Sequence, residues 1–590
     1  MGLRCGQYFS SLSAQLVVWC LTLCTVVAAT AEHAPQQLRT PTETEYTIRN
    51  VEIRVSDIFD EPDLPAFYEA ANDLKIETRR DVVRRELLFR EGDKYDPFAI
   101  EESIRNLRTL NFLRKVSIVP TFEGQYVDLR VTVQDTWTLI PQVSLSSGGG
   151  DSNTVFGLSE SNILGYGKRV EVLYADIEGR ESTSAVYDDG RFWDSYNRLL
   201  AAGFFREDGE RGIFSFGRPF RSLLERRSWG LTLDVGDLVD KLWQNADERF
   251  IYRSKDIEGS LRYTWAWGNP EEVLRRLSVG YDFIENRFSS ATPEDFRDAD
   301  VDPATVSNDP NMLADKRRFS MPVLSYQRIT PDFVSLNYID KFSRVEDYNL
   351  GNELNMTLGL ALEALGSLKN TLILSASDSQ GYAFSRSAIL RAEIGGSSRV
   401  DEDGVDNSTL WTELRFFKLL GDVRAAGRSL GRHTIALGLN FDYAEGLDRD
   451  REFLLGADQG LRGYDSRTFT GDKRFLFSIE DRMHFVDDVL KLVSVGGAIF
   501  ADMGGSTFDS FPDLFGDETY ADVGVGLRFG FPRSTGGKVV RVDLAIPLRD
   551  GPDGTDSGEF RVIFGGGLTF GSRLRNESIG PEKRVRVGVE

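Results

Sequence analysis

Along Lys473–Phe485 the sequence alternates with a period of two. Phe475, Phe477 and Ile479 fall on one face of the run, and Leu476, Ser478 and Glu480 on the other. A strand keeps these two sets apart, because successive side chains point to opposite sides of the pleat. Comparable runs recur at 168–174, 199–205, 229–235, 277–283, 434–443 and 539–548. Aromatics at 11% and 56 glycines suit many such strands joined by turns. After residue 31 no apolar run is long enough to span a bilayer as a helix. A membrane location would therefore require a closed barrel, the form that satisfies every backbone group in lipid without helices. The outside of such a barrel needs strands that are apolar on one face only.

The first 31 residues read as a secretory signal. Arg4 is the only charge, residues 16–29 form the apolar core, and Ala29-Thr30-Ala31 is a small-x-small cleavage site before Glu32. The apolar run is short for a membrane anchor. Cys5, Cys20 and Cys24 all lie in this segment, so the rest of the 590-residue chain has no thiol for disulfides or metal-thiolate sites. A net charge of −22, without a basic stripe, argues against nucleic acid as a partner.

Residues 32–45 are polar, with two prolines, and read as a linker. The segment 46–136 then changes character. Residues 46–54 suit a strand and 64–75 a short extra helix. Thr78 stands as cap to a helix with Asp81 in its first turn, Val83, Leu87 and Leu88 on its buried face and Gly92 past its end. Asp96-Pro97 opens a second helix, along which Ile100, Ile104, Leu107 and Leu110 recur at helical spacing. Two strands follow, the second alternating Val127, Leu129, Val131 and Val133. This order of strand, helix, helix, strand, strand resembles one POTRA domain, with Gly92, Tyr95, Leu107, Phe112 and Val116 where that pattern has them. In such a domain an exposed edge strand could pair with an extended client. Trp137, just beyond, suits either an interfacial aromatic or a domain-packing one.

The stretch 460–482 reads GLRGYDSRTFTGDKRFLFSIEDR. Its turn, Leu461-Arg462-Gly463-Tyr464, and the acidic strand after it resemble the signature loop of the BamA/TamA-like outer-membrane assembly factors, in which POTRA domains precede a β-barrel. Asn162-Ile163-Leu164-Gly165-Tyr166-Gly167 resembles the Asn-x-x-Gly-x-Gly turn of that family and would make a tight hairpin. The resemblance implies a mainly β fold: an N-terminal α+β POTRA-like domain (46–136), then an antiparallel transmembrane β-barrel (137–570) of about 16 strands. Five runs follow the loop, as the family has, and the runs in excess before it read as long extracellular hairpins. Polar stretches at 289–316 and 399–409 read as extracellular loops. Within the first, Asp298, Asp300 and Asp302 read as a solvated acidic run, since Pro303 stands where a calcium loop needs glycine.

Parity places Glu480 and Asp502 on the inner faces of adjacent strands. An arginine on a loop folded into the lumen could reach both, and a guanidinium offers planar paired donors suited to carboxylates. The resemblance implies the same pairing of Arg462 with acids at Glu480 and Asp502, either as a conformational pin or as an ordinary structural ion pair. In the last run, Phe560, Val562, Phe564 and Leu568 form an outward row ending at Phe570, and Gly565-Gly566-Gly567 interrupt it. Those residues are candidates for a lateral seam or for close packing on a bulky inner side chain. Residues 571–590 form a charged tail that departs from the family's terminal aromatic.

No catalytic constellation stands out. Histidines occur only at 33, 433 and 484, and no serine sits in a nucleophile elbow. The resemblance implies a non-enzymatic protein without cofactor or bound metal. Its place would be the bacterial outer membrane, with a periplasmic N-terminal domain. Its partners would be outer-membrane lipid, unfolded β-barrel or secreted polypeptide clients, and periplasmic accessory proteins. The implied role is insertion of β-barrel proteins or polypeptide translocation, with a dedicated two-partner-type secretion pore or a passive channel as alternatives.

Overall fold

The computed structural model describes residues 46–566, apart from 149–150, 178–179 and 458. The signal segment, the linker, Gly567, Phe570 and the tail 571–590 lie outside the described residues. No described helix is long and apolar enough to cross a membrane.

The N-terminal unit comprises β1 (Thr47–Ser56), α1 (Ala66–Leu74), α2 (Arg80–Glu86), α3 (Pro97–Thr109), β2 (Leu113–Glu123) and β3 (Tyr126–Asp135). The sheet order is β1-β3-β2, with β1 parallel and β2 antiparallel to β3. The alternating row Val127, Leu129, Val131 and Val133 is wholly buried, in one core with Val83 and Leu107. Each such side chain contributes about 1.5–3 kcal/mol through burial. Asp96 caps α3 by accepting the Phe98 N–H, and Pro97 opens it. Thr78 is not the cap of α2. Arg79 occupies that position without a side-chain bond, and Thr78 Oγ1 instead accepts from Asn162 Nδ2 at 2.8 Å.

Apart from two small hairpins, Phe333–Leu336 with Glu346–Asn349 and Phe453–Leu455 with Phe469–Gly471, the remaining described strands form one closed sheet of antiparallel pairs that runs from Leu139–Gly148 round to Arg561–Gly566 beside it. Among the described residues the barrel has twenty strands, fifteen before the Arg462 loop and five after it. The expectation of about 16 strands is therefore corrected. The surplus runs are full members of the sheet. Asn352–Ala361 pairs on both sides and shows an exposed row of Met356, Leu358 and Leu360. A strand with one apolar face gains most from a place in the wall.

Residues 399–409 are likewise not a loop: Val400 pairs with Val405 and Asp401 with Gly404 across a two-residue turn. The stretch 291–316 does leave the sheet, but it folds back. A capping box of Thr292 and Asp295 starts the helix Pro293–Asp298, and Phe296 packs with Val239 and Ile251.

Apolar side chains alternate outward along the wall, as in Val523, Val525 and Leu527, while Asp522 and Arg528 of the same strand are buried. Phe475 has the outward parity but is covered, its ring 4.8 Å from Phe515 of the neighbouring connection.

One end of the barrel carries the N-terminal unit. Arg79 N–H donates to Gly165 O, and Trp137, half-buried, donates its N–H to Arg533 O at 2.7 Å. Arg85 pairs with Asp194, Leu223 N–H donates to Glu102, and Arg108 pairs with Asp347 at 2.7 Å. The contacted turns lie all round the mouth, so the unit seats across it. The 161–167 turn is part of this seat. Leu164, Gly165 and Gly167 have positive φ there, and a Cβ on Gly165 would stand 2.2 Å from Glu77 O.

Candidate functional site

The connection between Arg428–Glu445 and Lys473–Val489 starts at the far end of the barrel and folds into the lumen. It carries Arg462, Gly463 and Tyr464, all buried, the arginine fully so. Apolar packing holds the loop: Leu461, Tyr464 and Phe469 cluster with Leu455, Leu476 and Tyr520. The Tyr464 ring lies 5.2 Å from Phe469 and 5.6 Å from Tyr520. Backbone contact adds to this. Gly463 N–H donates to Asp522 Oδ2 at 2.9 Å, and a Cβ on Gly463 would stand 2.7 Å from the Asp522 Cβ. Only glycine allows that approach.

Arg462 donates from Nε and Nη2 to the two oxygens of Asp502, at 2.7 and 3.2 Å. Its third nitrogen, Nη1, reaches Asp543 at 3.4 Å. The guanidinium carbon sits 3.3 Å from the centre of the Phe500 ring, a cation on an aromatic face. The expected direct pair with Glu480 gives way to another: Glu480 accepts from Arg528 at 2.7 Å. The register explains the choice. Asp502 lies opposite Ser478, whereas Glu480 lies opposite Phe500, on whose ring the guanidinium is laid.

Sequence reasoning missed much of this cluster. Arg482, Arg528 and Arg541 join Arg462, and Asp522 and Asp543 join Glu480 and Asp502, all buried. The signal was present in the parity: Arg528 falls between Leu527 and Phe529 of the outward row, and Asp543 between Val542 and Leu544. Arg528 and Arg541 both donate to Asp543. Buried charge is costly unless paired and hydrogen-bonded, and here cations and carboxylates interleave.

The cluster continues toward the mouth that bears the N-terminal unit. Arg482 stands 3.6 Å from Glu480 and donates to Asp340 Oδ1 at 3.2 Å and to Ile339 O at 2.6 Å. Asp340 belongs to the insert 331–351, which forms a small hairpin (Phe333–Leu336 with Glu346–Asn349) outside the barrel sheet. Its Ile339, Tyr348 and Leu350 pack on the inner residues Ile389, Phe417 and Ala436. The same insert meets the N-terminal unit through Arg344, which donates to Leu113 O, and through Asp347. A continuous ionic path thus runs Asp340, Arg482, Glu480, Arg528, Asp543, Arg462, Asp502.

Of the seam candidates, Gly565 faces inward, opposite Arg541, and a Cβ there would stand 2.9 Å from the Arg541 Nε. Gly566 pairs with Val540. Phe560, Val562 and Phe564 are exposed.

Residues 75–135 match the family model "POTRA: Surface antigen variable number repeat". A curated relative, the outer membrane protein assembly factor BamA of Neorickettsia risticii (strain Illinois), is 28% identical over 145 residues. That match covers 24% of this chain and spans about a fifth (19%) of the relative's length. Among solved structures, BamA from Haemophilus ducreyi lacking POTRA domains 1–3 aligns at 15% identity over 88% of this chain and 84% of that one, with a TM-score of 0.37. CdiB from Acinetobacter baumannii aligns at 11% identity over 89% and 74%, with a TM-score of 0.44. The N-terminal unit is POTRA-like, and the chain is similar to the BamA/TamA-like outer-membrane assembly factors.

Proposed function

We propose that the chain is an outer-membrane protein that assists insertion of β-barrel proteins or passage of a polypeptide across the bacterial outer membrane. The observation that carries this reading is the Arg462 loop, anchored by a fully buried ion pair inside a closed barrel whose mouth bears the POTRA domain. In this reading the outward apolar rows face lipid and the POTRA domain faces the periplasm. Among the described residues β2 is an edge strand of the POTRA sheet, with Val119 and Phe122 exposed, so an extended client could add to it. The chemistry is non-covalent, through strand templating and conformational change of the barrel, with no cofactor. The domains are then 46–136 for client reception and 137–570 for the barrel, with Arg462, Gly463, Tyr464, Glu480 and Asp502 pinning the loop. Gly565, Gly566, Gly567 and Phe570 border the closure between last and first strands.

A dedicated secretion pore is the second reading, favoured by the POTRA-like unit being seated directly on the mouth. A permanently open channel fits less well with a lumen occupied by the Arg462 loop and the 331–351 insert.

Depletion of the protein in its native cell, followed by quantification of the outer-membrane proteome, tests the proposal. A broad fall in barrel proteins before growth slows supports assembly. Loss of one exported species selects the secretion pore, and an unchanged proteome and secretome overturns both.

A further inference from the structure

Helix α1 contributes no buried residue to the POTRA domain. At 100° per residue its side chains divide into three sectors. Tyr68 and Asn72 face the domain: the Tyr68 ring lies 4.8 Å from Phe59, and the Asn72 side chain bonds the Phe59 N–H and C=O at 3.2 and 2.9 Å. Glu69 and Asp73 form an acidic sector. Phe67, Ala70, Ala71 and Leu74 fill the third, with Phe67 68% and Leu74 78% exposed. A helix face that spends two large apolar side chains on solvent marks a contact surface.

The helix is fastened to the barrel rim. The Tyr68 hydroxyl donates to Leu490 O at 2.8 Å, and Glu61, just before the helix, pairs with Lys491 and Arg533. Leu490 is the tip of the turn between Lys473–Val489 and Val493–Thr507 and is 75% exposed. Phe485, Val486, Val489 and Leu492 beside it are exposed as well. The outward apolar row of the wall thus continues past the rim to the foot of α1.

We propose that α1 lies in the periplasmic leaflet of the membrane around the barrel, with Phe67 and Leu74 inserted at the boundary of headgroups and acyl chains. The inference rests on the reading of the barrel as membrane-embedded. A lipid surface is the occupant, because the exposed face joins the wall's own apolar row rather than standing apart from it. The acidic sector, turned to water, makes the attachment apolar, so zwitterionic lipid suffices. A helix with an apolar face and a charged face lies in the interface plane, about 5–10 Å deep. It would hold the POTRA domain at a fixed tilt under the barrel.

The test uses the full chain with Cys5, Cys20 and Cys24 replaced, folded into phosphatidylcholine vesicles. Single variants Phe67→Cys, Leu74→Cys, Glu69→Cys and Val525→Cys each carry an environment-sensitive fluorophore. Lipids brominated near the headgroup or near the bilayer centre serve as quenchers. Val525 stands in the outward row of the wall and reports whether the barrel is embedded. The expected result is loss of emission at 525 with either quencher, loss at 67 and 74 with the shallow quencher, and none at 69. Quenching at 525 with water-like emission at 67 and 74 overturns the proposal and leaves the barrel reading intact. Absence of quenching at 525 overturns both. Shielding of 67 and 74 that appears only on adding envelope proteins, without lipid quenching, overturns it in favour of a protein partner.

Discussion

At the scale of single residues, the loop is held by two things that only particular side chains supply. The first is the buried pairing of Arg462 with Asp502. Removing one partner of such a pair leaves a charge without compensation and costs about 3–5 kcal/mol. Arg462→Ala and Asp502→Ala are each expected to lower the thermal midpoint of the folded barrel, read by its heat-dependent gel mobility. The double alanine variant should lose less than the sum, because it leaves no unpaired partner at 502. Additive losses would mean that the two groups do not act together. Arg462→Lys should behave nearly as alanine, since an ammonium lacks the paired donors and the flat face laid on Phe500. The second is the close approach at Gly463. Gly463→Ala is expected to expose the loop to limited proteolysis, because its Cβ would meet Asp522 and the Pro547 backbone, the latter at 2.9 Å. Unchanged protease resistance would show that the strand can yield.

At the scale of elements, the insert 331–351 and the Arg462 loop enter the lumen from opposite ends and share the ionic path through Arg482 and Glu480. Deleting the insert with a short glycine linker is expected to raise single-channel conductance in planar bilayers. Arg482→Ala should do so partially, because the insert's apolar packing remains. Conductance equal to that of the parent would place the constriction elsewhere.

The insert also carries a titratable contact outside the barrel strands. Burial, with Asp340 nearby, pushes the Glu346 carboxyl up to about 7, against the opposing N–H bonds of Lys341 and Asp340. Its carboxyl therefore holds more protons docked than undocked between the ordinary carboxylate range and about 7. Docking is strongest at the acid side of that window and weakens as the pH rises through it. Hydrogen exchange of 331–351, corrected for intrinsic rates, should quicken from pH 5 to pH 8, and Glu346→Gln should flatten the trend. An equal slope in the glutamine variant would assign the pH response to other groups.

At the scale of the molecule, the POTRA domain covers the mouth and is bolted to turns around it. Client entry through that mouth would require the domain to swing aside. A cysteine pair at Thr78 and Asn162, whose side chains bond at 2.8 Å, tests this. Oxidised protein is expected to lose assembly or transport activity and to regain it with reductant. Full activity when oxidised would mean that clients reach the barrel by its outer wall.

The sequence by itself determined the face of each side chain, because pleat parity is a local property: two residues decide it, whatever lies beyond. From that came the apolar outer rows, the inward direction of Glu480 and Asp502, and the buried row of β3. The element order of the N-terminal domain was equally local, written in caps and in helical spacing. Only the tertiary structure decided which inward groups meet. Asp543 reaches Arg462 from a strand 81 residues away, and Phe500, which carries the guanidinium on its ring, lies opposite Glu480 because of the register of two strands. Strand number, too, was beyond local reading, since a hairpin that joins the wall and one that stands above it alternate alike. The seating of the POTRA domain, the path through Arg482 to the insert and the free face of α1 depend on contacts between segments far apart in the chain. Closure of the sheet brings those segments together, and no periodicity records it.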